Sequence, residues 1–174
     1  MESKGLATLA ATIITALGGL AVAAPVAADD SGQSSAYMKP ALPGATILQL
    51  DAVREATAKY LDESAAVADG YVDIHVFIPH MGWHYLKQSL VDDQFEATKP
   101  ELLVYADDPC GGPRKLVAVE YGVPTALVNK APAGFAGDTD QWNVVALTNM
   151  WMVHAWVWEW NPAGVFNPTN SRVD

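Results

Sequence analysis

Cysteine is nearly absent from this chain: Cys110 is the only one in 174 residues. A lone thiol excludes an internal disulfide framework and any cysteine-based zinc finger. Positive charge is also thin, with 10 Lys and Arg against 20 Asp and Glu, for a formal net charge of −10. Nucleic acids and anionic membranes require a basic face, so neither is an expected partner. There is no Gly-x-Ser-x-Gly elbow, no Walker loop and no dinucleotide loop. The acidic pairs Asp92-Asp93, Asp107-Asp108 and Asp138-x-Asp140 lack the full calcium-loop pattern and read as solvated turns. Asn167-Pro168-Thr169 fails as a glycosylation site because of its proline. What the chain does have is apolar mass. At 51% hydrophobic and 17% charged it can bury a core, and its length fits one domain.

The long apolar run lies at the start. Lys4 precedes a stretch rich in Ala, Leu and Ile from Gly5 to Val26, followed by Ala27-Ala28-Asp29. This pattern predicts a secretory signal peptide over residues 1–28, cleaved before Asp29 and leaving an exported, soluble, acidic protein in the cell envelope or outside it. An uncleaved membrane anchor is the competing reading, weakened by Gly18-Gly19 and Pro25. With cleavage, no stable membrane insertion is expected.

Residues 29–45, rich in Ser, Gly and Pro, read as a flexible lead-in to a β-rich domain over residues 46–174. Asp51 is placed to cap a helix whose apolar residues Val53, Ala56, Tyr60 and Val67 recur at helical spacing, with Gly70 as its stop. The period then changes to two. Val72, Ile74, Val76 and Ile78 predict a strand with one apolar face, and Met81–Lys87, Leu102–Tyr105, Lys115–Val123 and Thr125–Asn129 predict further strands. Trp142 to Trp160 reads as one long strand or two broken near Asn149. The predicted fold class is α+β: one N-terminal helix packed on a mainly antiparallel sheet or small barrel.

Several segments carry a resemblance. Ala68-Asp69-Gly70-Tyr71, Met81-Gly82-Trp83-His84-Tyr85, Pro100 to Tyr105, Lys115 to Tyr121 with its Val-Glu-Tyr, and His154 to Trp158 followed by Asn161-Pro162-Ala163-Gly164 span most of residues 51–170. In combination they resemble a family of exported bacterial and archaeal proteins with no established activity. The resemblance therefore implies export and a single domain, and names no reaction. Members of that family often carry a Cys before the Met-Gly-x-His segment and another at the C-terminus, which suggests a clasp. This chain has Val76-Phe77 and Val173-Asp174 at those places, so the clasp is absent.

The candidate site is a set of three. Glu120 shares strand parity with Leu116 and Ala118, and a carboxylate on an apolar face costs several kcal/mol unless paired or metal-bound. His154 shares parity with Met152, Trp156, Trp158 and Trp160. Together with His84 they supply two imidazoles and a carboxylate, a sufficient metal set for zinc, copper or iron with positions left for water or a small molecule. His80, four residues before His84, would lie about 13 Å away along a strand and could not share an ion without a kink at Gly82. His75 is expected on the outer face. Trp156 and Trp158 are candidates for stacking a ligand, although indoles more often pack a core or a homo-oligomer interface. Cys110, in a Pro-Cys-Gly-Gly-Pro loop, has no neighbouring base to activate it. Three readings stay open: a metal or small-ligand protein, a non-catalytic envelope protein self-associating through Trp-rich surface, and an apolar-ligand carrier with a barrel cavity. The first leaves open whether there is catalysis.

Overall fold

The computed structural model describes residues 42–174, so the expected signal peptide and most of the lead-in lie outside the described residues. Helix α1 spans Gly44–Thr57 and continues as a 3-10 turn over Ala58–Leu61. A second helix, α2, spans Glu63–Ala68. Among the described residues no helix is long and apolar enough to cross a membrane.

Helix α1 begins earlier than the expected start at Asp51, which is exposed in mid-helix. The capping carboxylate is instead Asp62, whose side chain accepts from the Ser64 backbone N–H at 2.9 Å and starts α2. That break resets the helical phase. Val53 and Tyr60 stay buried, but Ala66 replaces Val67 on the inner face and Val67 is exposed. Gly70, at φ +95°, then closes α2 as expected.

Six antiparallel strands follow: β1 (Val72–Ile78), β2 (Gly82–Leu86), β3 (Leu102–Ala106), β4 (Lys115–Pro124), β5 (Asn143–Val145) and β6 (Met150–Ala155), in the order β1-β2-β3-β4-β6-β5. The sheet is open, with β1 and β5 at its edges, so the fold is mixed α+β and the barrel alternative is corrected. Two local expectations also change, while the break of the Trp-rich stretch near Asn149 is borne out. Thr125–Asn129 is a turn, with the Leu127 and Val128 N–H groups returning to the Pro124 carbonyl. The Trp-rich stretch is a hairpin that turns at Asn149 (φ +53°) and ends as a strand at Ala155. Edge strand β1 has no clean apolar face: Val72 and Ile78 are exposed, and its register slips between Asp73 and Phe77.

Both sheet faces are covered near the centre. Leu50, Val53 and Tyr60 of the helical segment pack with Tyr105, Val119 and Tyr121 on one face. On the other, Val104, Ala118 and Trp156 pack against Val173 of the C-terminal segment. That segment is clipped in place by the Asn170 N–H to the His80 carbonyl (2.8 Å) and by His80 Nδ1 to the Val173 carbonyl (3.0 Å).

Candidate functional site

The register of the central strands brings His84, Glu120 and His154 onto one face. Glu120 on β4 lies directly across from His154 on β6. His84 on β2 pairs with Val104 on β3, which pairs with Ala118 on β4, two residues before Glu120. Alternation along β4 puts Ala118 and Glu120 on the same side, so the carboxylate reaches both rings. The expected parity with Leu116 fails, because Val104 pairs with Ala118 and Tyr105 with Leu116, leaving Val117 as an extra residue. This bulge turns Leu116 toward the helix-side core.

Glu120 is fully buried, and His84 and His154 are buried around it. His84 Nε2 is 3.3 Å from Glu120 Oε1, and His154 Nε2 touches the same oxygen more closely than an ordinary hydrogen bond. Apart from these contacts with one another, none of these polar atoms (His84 Nε2, both Glu120 oxygens and His154 Nε2) has a hydrogen-bond partner. The far side of the His84 ring is fixed: its Nδ1 lies 3.0 Å from the Val76 carbonyl oxygen. A carbonyl only accepts, so Nδ1 carries the proton and a neutral His84 presents a lone pair at Nε2.

A lone pair facing a carboxylate oxygen is repulsive unless a cation lies between them. Burial alone would raise the Glu120 carboxyl, but His154 and His84 outweigh it and hold the group ionised, below the ordinary carboxylate range. Burial likewise disfavours charge on His84, yet the Glu120 charge prevails and raises its pKa. The cluster therefore attracts positive charge, either protons on the imidazoles or a metal ion. Among the described residues no three His, Cys, Asp or Glu side chains stand in the spread of a preformed metal centre. Here the two imidazoles close onto a single carboxylate oxygen.

The other sequence candidates lie elsewhere. His80 binds the C-terminal segment, and His75 is exposed beside Asp73. Trp156 and Trp158 do not form one stacking face. Trp156 is buried with Val104 and Ala118, while Trp158 packs on the helix side, donating to Thr57 Oγ1 at 3.0 Å under the Arg54 guanidinium. Past Ala155 the chain is no longer a strand, so the period of two that grouped the indoles no longer applies. Trp160 is 68% exposed. Cys110 is an exposed free thiol. Two surface clefts, of about 690 and 450 Å³, are lined by residues of the 93–97 and 125–134 loops and by Gln49 of α1, and share no residue with the cluster.

Sequence reasoning missed one contributor to the cluster and one buried carboxylate outside it. The Val76 carbonyl is a backbone group with no residue-type signature. Glu101, at the entrance to β3, is buried and accepts from the Gly122 N–H at 3.1 Å, although a carboxylate between Pro100 and an apolar run reads as a strand-end residue on the surface. Comparison with known proteins adds no relative: no family model matches the chain, and neither a curated protein nor a solved structure matches it.

Proposed function

We propose that this chain is an exported metal-binding protein that holds a transition metal between His84, Glu120 and His154. One observation carries the reading: two imidazoles close onto one oxygen of a fully buried carboxylate, and the four polar atoms have no partner outside the cluster. A fully desolvated carboxylate against two imidazoles is costly until a cation satisfies it. The donor set, two nitrogens and a carboxylate, suits zinc, copper or iron, whereas calcium and magnesium prefer oxygen alone. Three protein ligands leave coordination positions for water or a small molecule. A bound metal would supply Lewis acidity there. The protein's own part is orientation and water exclusion: Val76 fixes the His84 ring, and Val104, Ala118 and Trp156 wall the neighbouring face. His154, with its side chain 10% exposed, is the most accessible of the three and marks the side of entry.

Elemental analysis of the purified protein after loading with zinc, copper or iron tests this reading. About one equivalent is expected, lost in His154→Ala and in Glu120→Gln while the circular dichroism spectrum stays unchanged. No bound metal with any of the three ions overturns it. The raised pKa of His84 supports a second reading, in which protons alone neutralise Glu120 and the cluster is a structural ion pair. Self-association through tryptophan is less well supported, because among Trp156, Trp158 and Trp160 only Trp160 is largely exposed.

A further inference from the structure

The β1–β2 ladder is broken at one place. Asp73 pairs with Tyr85 and Phe77 pairs with Trp83, so Ile74, His75 and Val76 together face the single residue His84. A regular antiparallel ladder would set one residue against one, so two residues of β1 are extra. At the centre of the excess, His75 has φ +57°, a left-handed conformation that residues other than glycine adopt infrequently. Its geometry is anchored: the His75 N–H donates to Asp73 Oδ1 at 2.7 Å, and Asp73 Oδ2 accepts from Arg114 at 2.9 Å. The next residue, Val76, turns its carbonyl to the His84 side chain at 3.0 Å.

We infer that this bulge is a positioning device for the candidate metal site: the left-handed turn at His75 delivers the Val76 carbonyl to Nδ1 of His84, which aims Nε2 at Glu120. The inference rests on the metal-binding reading for its consequence, but its geometry can be tested without metal. A carbonyl partner on the far nitrogen of a ligating imidazole fixes the ring and its tautomer, and loss of such a partner lowers metal affinity by about 10–100-fold. The His75 side chain is 85% exposed, so substitution there changes the backbone preference and leaves the cluster's own side chains in place.

The test compares His75→Gly, which accepts a positive φ, with His75→Val, whose β-branched side chain resists it, and with the milder His75→Ala. One readout is zinc affinity by chelator competition. The other is the His84 Nδ1–H proton in the metal-free protein, expected to be protected from exchange and close to Val76 by nuclear Overhauser effects. His75→Gly should match the parent in both. His75→Val should lose the protected proton and bind zinc about 10–100-fold more weakly, with His75→Ala between them and decisive if the Val variant does not fold. A parent protein without the protected proton overturns the inference, as does a bulge-resisting variant that keeps both the proton and the affinity. A parent protein that binds no metal but shows the expected pattern in the Nδ1–H proton overturns the metal reading alone and leaves the positioning role standing.

Discussion

Glu101 is the second buried carboxyl of the sheet, and its chemistry is opposite to that of Glu120. Burial outweighs the backbone hydrogen bonds it accepts, including that from Gly122, and pushes its pKa up to about 8. In the unfolded chain it ionises near the ordinary 4.5. Between those values the folded state holds a proton that the unfolded state has released, so stability is fully present below about pH 4.5 and is lost as pH rises through 8. The expected outcome is a lower urea midpoint at pH 8.5 than at pH 5, with a difference on the order of several kcal/mol that Glu101→Gln largely removes. Glu120→Gln at neutral pH is expected to behave differently, because it deletes the charge around which two imidazoles are arranged, and zinc retention is the measurement that shows it. Of these residues, Glu120 and His154 were readable from the chain because a polar side chain at an inward strand position is costly unless it has partners, and His84 joined them on its ligand type alone. Glu101 was not, since it precedes the first apolar residue of β3 and no alternation marks its direction. Trp158 was misread because parity was extended beyond the last paired residue.

At the level of elements, the positions that end or begin structure carry the sharpest tests. Asp62→Ala removes the carboxylate that accepts from Ser64, and a small fall in the chemical-denaturation midpoint is expected. Gly82, at φ +118°, opens β2 where a Cβ would run into the Tyr105 carbonyl, so Gly82→Ala should cost more than that and broaden the amide spectrum of β2 and β3. Strands β3 and β4 were legible in the sequence because their apolar runs are buried on both faces of the sheet. The start of α1 was not, because Pro43 precedes a helix that has no side-chain cap, and the residue type that usually marks a beginning, Asp51, lies seven positions inside it. The bulges were invisible for a different reason: an extra residue in a strand is defined by its partner strand, and no single strand carries that information.

For the molecule as a whole, the C-terminal segment completes the sheet face that holds the cluster. Val173 is 2% exposed against Val104, Ala118 and Trp156, and Arg172 pairs with Glu159 at 2.7 Å. Removing Arg172–Asp174 is expected to lower unfolding free energy by roughly 1–3 kcal/mol, mostly from lost apolar burial. Urea titration gives the magnitude, and a red shift of tryptophan emission would report solvent reaching Trp156. An open sheet also has margins that a closed barrel lacks, and unpaired margins invite other chains to add strands. Here one margin, β5, is only three residues long, and the other, β1, is interrupted by the irregularity opposite His84. The kink that feeds a carbonyl to the imidazole thus also denies neighbouring molecules a straight template. Ironing it flat would endanger colloidal behaviour as well as ligand geometry, so concentrated solutions of a flattened variant should turn turbid where the parent stays clear.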